Sequence, residues 1–187
     1  ALGIGEDAID WQAVGPPPER IERLLAHTID VSLIRVEEAL ALNRDPANSL
    51  HTLLGFAELK ELVPVQPHGV LATTEAYEAG HEDELHRLTR GMIRAARALH
   101  DDFDAFRNTY DHHVTVSLPD DAVQAIWRQE RDTGGFAVDG ELTAEHWNVQ
   151  RDLFFELNPD LPAIDLDQVI ARQFVAQALD ALGEHGG

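Results

Sequence analysis

The segment from Ile9 to Leu42 constrains the fold most, because its pattern predicts a strand, a helix, a second strand and a second helix in close succession. Ile9 to Val14 is short, apolar and suited to a strand, and Gly15 with the three prolines after it ends that strand. Glu19 to Ala26 then carries apolar residues at helical spacing. Thr28 to Ile34 is rich in apolar and β-branched residues, which is typical of a strand covered on both faces of a parallel sheet. The segment therefore predicts a βαβ unit.

The ends of these two strands are the places where the βαβ unit would meet a ligand. In open parallel sheets, ligands bind in the crevice beyond the carboxyl ends of the strands. We therefore expect Val14-Gly15 and the residues from Ile34 to Glu37 to lie side by side at the rim of the sheet, with a gap for a small solute between them. Trp11 alternates toward the interior of the first strand and is predicted to be a core residue.

The rest of the chain is predicted to be mainly helical after one more strand at Val70 to Thr73. A long helix is predicted from Asp83 to about Asp101, with Leu85, Leu88, Met92 and Ile93 facing the core and four arginines, at positions 87, 90, 94 and 97, on a solvated face. Shorter helices are predicted at 37–42, 103–110, 143–155 and 165–182, and 58–63 is a short amphipathic segment. Another helix, capped by Ser117 or Asp120, is predicted to carry Val123, Ile126 and Trp127 inward and to end at about Arg131. Gly183 is the predicted C-cap of the last helix. The predicted fold class is α/β. A lobe at 1–80 carries a short, mainly parallel sheet, and a helical C-terminal region at 81–187 packs on it.

Composition excludes several classes of function. The formal net charge of -20, from 34 acidic and 14 basic residues in 187, repels polyanions and argues against nucleic-acid or anionic-membrane partners. The absence of cysteine excludes disulfides, thiolate catalysis and cysteine-ligated metal sites. No apolar run approaches the roughly 20 residues that span a bilayer. The first residues do not have the pattern of a signal peptide, and we expect the chain to be part of a longer protein.

The order of the segments resembles a known family of binding proteins. The segments are GPPPERIERLLAHTIDVSLI, HGVLATTEAYEAG, LTRGMIRAARALHDDFDAF, a GGF turn and a closing FVAQALDALG helix. In this order they are similar to the second lobe and C-terminal tail of the solute-binding proteins of ABC importers, in the group that includes nitrate, sulfonate, taurine and thiamine-pyrimidine binders. The resemblance covers nearly the whole chain and implies a lobe of the periplasmic-binding-protein type. Family members usually place a small residue at the position of His27.

The resemblance implies a non-enzymatic function. It predicts the solute-binding component of an ABC-type importer in the periplasm, or outside the cell at the membrane, with a small-molecule ligand, an ABC permease and a separate N-terminal lobe as partners and with no cofactor. One alternative is an enzyme on the same fold, in thiamine-pyrimidine synthesis or small aromatic acid metabolism, which would place the protein in the cytoplasm. The pyrimidine-making relatives carry a cysteine-rich motif that this chain lacks. Another alternative is a regulatory fragment that has no ligand of its own.

Two ligand-contacting residues are predicted directly after the second strand. Arg35 would lie at the lip of the cleft, where a guanidinium can hold a carboxylate, sulfonate or phosphate with two parallel hydrogen bonds. Glu37 would contact the polar part of the same ligand. The alternative is a surface ion pair between Arg35 and either Glu37 or Glu38.

Three further ligand-contacting residues are predicted from loops and strand ends. Gly15 brings the backbone close to a ligand, although a plain turn followed by prolines in the first helical turn explains the same residues. His68 and Thr73 lie at opposite ends of one predicted strand, and the resemblance places His68 on the cleft side. No metal site and no catalytic constellation is predicted. The local histidine groups, 111–113 and the pair 81 and 86, lack the spacing of helical zinc sites.

Overall fold

The computed structural model describes residues 8–48, 50–62, 69–140, 148, 151–152, 154–156, 158, 160 and 170–186. Within these residues the helices are α1 (Pro17–Leu25), α2 (Val36–Leu42), α3 (Phe56–Leu62), α4 (Glu75–Asp101), α5 (Phe103–His113), α6 (Asp120–Asp132) and α7 (Arg172–Leu182). The chain divides into two compact units. The first comprises Ala1–Thr52 with Val116–Leu118, and the second comprises Leu53–Thr115 with Pro119–Gly187. The proposed domain boundary at residue 80 stays a prediction.

The predicted α/β lobe with a mainly parallel sheet is wrong, because the described residues are 60% helix and contain no strand or sheet. The segments 9–14, 28–34 and 70–73, which were expected to be strands, are irregular. A strand in a parallel sheet must be covered on both faces, but Val31, Leu33 and Val70 are exposed. Short apolar runs do not define strands by themselves, since β-propensity depends on neighbours to pack against.

The expectation that Trp11 lies in the core is wrong for the same reason. Its side chain is 74% exposed, because the alternating pattern around it has no sheet to orient it.

The helices of this unit agree better with their sequence patterns. Helix α1 begins two residues earlier than predicted, with Pro16 as its N-cap and prolines in its first turn. Helix α2 covers the predicted segment, and Glu38 Oε2 accepts a hydrogen bond from the backbone N–H of Arg35 at 3.0 Å.

Helix α1 ends in a Schellman motif centred on His27. The backbone N–H of His27 donates to the carbonyl of Leu24 at 3.1 Å, and that of Thr28 donates to the carbonyl of Arg23 at 3.0 Å. His27 itself has a φ of 54°, in the left-handed region that favours glycine. Glycine would therefore occupy this position with less strain than histidine.

The second unit is built around α4. Helix α4 packs against α7 and α5, and α5 packs against α6. The buried side chains on these helices are Leu85, Ile93, Tyr110, Val123, Ile126, Trp127, Phe174 and Ala178. The Trp127 indole N–H donates to the carbonyl of Leu99 at 2.8 Å, so a buried polar group is satisfied while its ring packs against Phe103. A core of this kind needs only helix faces.

Helix α4 differs from its prediction at three places. It begins at Glu75 rather than near residue 83, because the Thr74 side chain caps it by accepting a hydrogen bond from the N–H of Tyr77 at 3.2 Å. His81 has non-helical backbone angles and kinks the helix. Leu88 and Met92, which were predicted to face the core, are exposed. Fewer residues of α4 therefore face the core than the sequence pattern predicts.

The remaining helices follow their sequence signals closely. Helix α6 buries Val123, Ile126 and Trp127 as predicted, although Pro119 rather than a polar side chain occupies its N-cap. Helix α5 continues through His113, three residues beyond its predicted end. Helix α7 ends at Leu182 with Gly183 as its C-cap, as the predicted glycine stop requires. The helix predicted at 143–155 lies largely outside the described residues.

Across the described ranges, the helices are either too short or too polar to cross a membrane.

Candidate functional site

The two turns that were expected to meet a ligand are held together by one side chain of the first unit. Arg20 Nε donates to the carbonyl of Gly15 at 2.6 Å, and Arg20 Nη1 donates to the carbonyl of Leu33 at 3.2 Å. Gly15 has a φ of 98°, which only glycine adopts readily, so its carbonyl can point toward Arg20. The turns therefore lie near each other, but a guanidinium rather than a sheet joins them, and it occupies the space between the two carbonyls where a gap for a solute was expected.

Arg35 and Glu37 lie directly after the Leu33 turn. The Arg35 side chain is 69% exposed, and its Nη1 lies 3.9 Å from Glu37 Oε1. At this distance, in water, the ion pair contributes little and leaves the guanidinium accessible to another anion. The arrangement contains the surface ion pair that was the alternative interpretation, and it also leaves Arg35 in a position to bind a ligand.

The other two predicted site residues are not among the described residues of the first unit. Thr73 is exposed in the irregular segment before α4, which belongs to the second unit. His68 lies outside the described residues. The ligand-contacting roles of all five predicted residues stay predictions, and Gly15, Arg35 and Glu37 are the three that share one unit.

A second group of side chains, which the sequence reasoning missed, converges in the second unit. His100 and Asp101 are at the C-terminal end of α4, and His185 follows α7. Asp101 Oδ1 lies 2.8 Å from His100 Nδ1 and 2.9 Å from His185 Nε2, and Asp101 Oδ2 lies 3.1 Å from the same nitrogen of His185. The two imidazole rings are nearly perpendicular, at 82°, with centroids 4.9 Å apart. We call these three residues the His-Asp-His cluster.

A network of hydrogen bonds fixes the segment that carries His185. Asp139 Oδ1 accepts from the backbone N–H of His185 at 3.0 Å and from Arg97 Nη2 at 2.6 Å. Arg97 also donates to the carbonyls of Val138 at 2.8 Å and Gly183 at 2.6 Å. One guanidinium therefore ties α4 both to the loop before residue 140 and to the chain after α7.

Both carboxylates of this region are favoured in the ionised state. Hydrogen bonds from His100 and His185 hold the pKa of Asp101 below its ordinary value of 3.8, and burial opposes them only in part. Burial is the largest influence on Asp139 and raises its pKa, but the hydrogen bonds from Arg97 and from the backbone of His185, with their charges, together outweigh it. The pKa of Asp139 is therefore also below 3.8. Both groups are anions at neutral pH.

Sequence spacing could not reveal the His-Asp-His cluster, because 84 residues separate Asp101 from His185. The local signals were a histidine and an aspartate in the last turn of a long helix, and a histidine just beyond a glycine helix stop. The histidine groups that spacing did single out make other contacts. His81 stacks on the Tyr77 ring at 3.9 Å between centroids, and His112 Nδ1 lies 2.7 Å from the carbonyl oxygen of Asn108.

His86 is the described histidine with an unusual environment. Its Nδ1 is buried and has no hydrogen-bond partner, and its ring packs against Phe174 with centroids 4.6 Å apart. It lines a cavity of about 70 Å³ together with Arg90, Gln177 and Ala178. That volume holds a water molecule or two rather than an organic ligand.

Comparison with known proteins adds no relative. The chain matches no protein family, no curated protein and no solved structure.

Proposed function

We propose that this chain is the solute-binding component of an ABC-type importer and acts outside the cytoplasm. The order of the segments from the Gly15 turn to α7 supports the proposal, through its similarity to the nitrate, sulfonate, taurine and thiamine-pyrimidine binders. The proposal does not depend on a sheet. It depends on the loops that Arg20 joins and on the side chains beside them.

The observation that carries the proposal is the exposed guanidinium of Arg35, which follows the two turns that Arg20 joins through hydrogen bonds to the carbonyls of Gly15 and Leu33. These bonds bring the two turns together and fix the backbone at the start of α2. Arg35 follows at the N-cap of α2, and its backbone is held by Glu38. A guanidinium on a fixed backbone loses less freedom when it binds, which favours recognition of a planar or tetrahedral anionic group.

The chemistry of these residues favours a small solute with an anionic group and a polar or cationic part. Arg35 can hold a carboxylate, sulfonate or phosphate through two parallel hydrogen bonds. Glu37, only 2 positions away and partly covered, can accept a hydrogen bond from an amine or hydroxyl on the same solute. The net charge of -20 repels anions at long range, so binding of such a solute depends on this local guanidinium.

Thermal unfolding of the full chain with candidate solutes tests the proposal. The panel consists of taurine, nitrate, a hydroxymethylpyrimidine and benzoate, which represent the ligand classes that the resemblance implies, and of glutamate as a representative amino acid. A solute at about 100 times its Kd stabilises the folded state by about 2.7 kcal/mol. For a chain of this length, that corresponds to a rise in Tm of roughly 5 to 10 °C.

Two arginine variants identify the site. Arg35→Ala should abolish the rise in Tm for the solute that binds. Arg44→Ala, which removes the same charge from an exposed turn of the same unit, should leave the rise unchanged. No rise with any member of the panel would overturn the proposed function. A rise that survives in Arg35→Ala would show that a different residue holds the ligand.

A further inference from the structure

The His-Asp-His cluster gathers three potential metal ligands from two separate parts of the second unit. Two imidazole nitrogens lie within 3 Å of the same oxygen of Asp101, and the three potential ligand atoms all lie within 4.8 Å of one another. The cluster belongs to the second unit and shares no residue with the group on which the proposed function depends.

We propose that His100, Asp101 and His185 form a binding site for a divalent transition-metal ion, with zinc as the reference ion. Histidine nitrogen and carboxylate oxygen are common zinc ligands in proteins, and three protein ligands leave a tetrahedral ion one position for water or a substrate. With no cysteine in the chain, nitrogen and oxygen ligands are the available set. Such a set suits Zn²⁺, Co²⁺ and Ni²⁺ better than Ca²⁺ or Mg²⁺, which prefer oxygen ligands alone.

The distances agree with a shared ion. Bonds of about 2.0 to 2.1 Å at octahedral or tetrahedral angles place neighbouring ligand atoms about 2.9 to 3.3 Å apart. The nitrogen-to-oxygen distances in the cluster are 2.8 and 2.9 Å, close to that spacing, and the three ligand atoms all lie within 4.8 Å of one another. The ion would take the place of the protons that the imidazoles now share with the carboxylate.

The orientation of the rings separates this cluster from a simple ion pair. One imidazole is enough to pair with an exposed carboxylate, but here two imidazoles contact the same oxygen, with their ring planes at 82° to each other. The His100 and His185 side chains are only 25% and 22% exposed, whereas Asp101 is 56% exposed. The imidazoles are therefore held in place by their surroundings, and an ion can still reach the cluster from the side of the carboxylate.

The surrounding hydrogen bonds position the third ligand. The backbone N–H of His185 donates to Asp139, and Arg97 links Asp139 to the carbonyl of Gly183. Metal sites depend on such outer contacts, because ligands that are already oriented lose less freedom when the ion binds. The excess of acidic residues also attracts divalent cations toward the chain.

The test is a metal titration of the full chain after removal of metal with a chelator. Zn²⁺ binding is measured by calorimetry, and Co²⁺ binding is measured by its visible absorption, which reports the number and type of ligands. We expect one ion per chain and a rise in Tm when Zn²⁺ is added. His185→Ala and His100→Ala should each weaken Zn²⁺ binding by roughly tenfold or more and change the Co²⁺ spectrum.

A matched control separates the cluster from the other histidines. The double variant His112→Ala/His113→Ala removes two exposed histidines from α5 and should bind Zn²⁺ as the unchanged chain does. Equal Zn²⁺ affinity in His185→Ala and the unchanged chain would overturn the proposal. Loss of binding in the control, or no binding at all, would overturn it as well.

A conservative variant keeps the test decisive if an alanine variant unfolds. Asp101→Asn retains the size of the side chain and one acceptor oxygen but removes the anionic ligand. Circular dichroism should show unchanged helix content, and Zn²⁺ binding should still be weaker by roughly tenfold or more. An Asp101→Asn variant that is folded and binds Zn²⁺ normally would refute the site.

Discussion

Replacement of Arg97 by alanine should destabilise the protein more than any other substitution of an arginine on α4. The Arg97 side chain is only 16% exposed, and it donates to three oxygens, those of Val138, Asp139 and Gly183. Arg94, three residues earlier on the same helix, is exposed. The two arginines therefore carry the same charge on the same helix but differ in their surroundings, so Arg94 is a matched control.

The magnitude follows from the partners that the substitution leaves behind. A hydrogen bond to a charged group contributes about 1.5 to 3 kcal/mol, and removal of one partner of a buried ion pair costs about 3 to 5 kcal/mol. Asp139 is 26% exposed and keeps its hydrogen bond from the backbone of His185, which moderates the loss. We expect Arg97→Ala to lower the free energy of unfolding by about 2 to 4 kcal/mol, and Arg94→Ala to change it by less than about 0.5 kcal/mol.

Urea unfolding followed by circular dichroism, with chelator present to exclude metal, measures both variants. Arg97→Lys should recover less than half of the loss, because an ammonium group cannot donate to three separated oxygens in the way that the planar guanidinium does. Asp139→Asn gives a double-mutant cycle with Arg97→Ala and reports the coupling between the two side chains. Equal effects of Arg97→Ala and Arg94→Ala would refute the reasoning, since the contacts of Arg97 would then contribute nothing measurable.

The same ion pair gives a pH dependence with a definite sign. The pKa of Asp139 in the folded state is below its ordinary value of 3.8, so the folded state binds the proton less well than the unfolded state does. Its contribution to stability is complete above that ordinary value and is lost as the pH falls through the folded-state pKa. The stability difference between the unchanged chain and Asp139→Asn should therefore shrink from about pH 6 to about pH 3. A difference that stays constant would contradict the assignment.

Three further substitutions test local features of the fold. His27→Gly should raise the free energy of unfolding by about 0.5 to 1 kcal/mol in urea unfolding, because glycine accepts the φ of 54° without strain; a destabilised variant would argue against the Schellman geometry. The Tyr77 hydroxyl donates to Glu84 at 3.2 Å, and this hydrogen bond, with the charge of the carboxylate, raises the pKa of Tyr77 above 10.0. Glu84→Gln should lower that pKa in a spectrophotometric titration, and no change would show that the contact is not populated. Trp127→Phe removes the hydrogen bond to the carbonyl of Leu99 and should cost about 1 to 3 kcal/mol in the same urea assay, whereas a neutral result would mean that water replaces the indole N–H.

The helices could be predicted from the sequence because their signals are local. In α6, Val123, Ile126 and Trp127 recur at helical spacing after a proline turn, and the structure buries all three. The glycine stop after α7 is equally local, since it needs only one residue with a positive φ. Leu88 and Met92 were predicted to face the core but are exposed. Helical periodicity identifies the apolar face of a helix, but it does not show how much of that face a neighbouring helix covers.

The sheet could not be predicted in the same way, because a strand is defined by its partner. The residues around Trp11 and Leu33 have the alternation and the β-branched composition of strands, and these properties survive in an irregular segment with exposed side chains. The turns at their ends nevertheless lie near each other, because Arg20 binds both carbonyls. A polar contact therefore brings the two turns together, and the pattern of apolar residues could not predict that contact.

Arg97 illustrates the same limit from the side of function. Helical spacing assigned it to a solvated face together with the other arginines of α4, and for the exposed Arg87 and Arg94 that assignment is correct. Arg97 differs only because the loop at Asp139 and the chain after Gly183 return to its end of the helix. The same two segments also bring His185 to Asp101. The burial of Arg97 and the formation of the His-Asp-His cluster therefore have one cause. A polar group in a helical protein therefore acquires its role from the segments that pack against the end of its helix, and one face of a helical wheel cannot reveal that role.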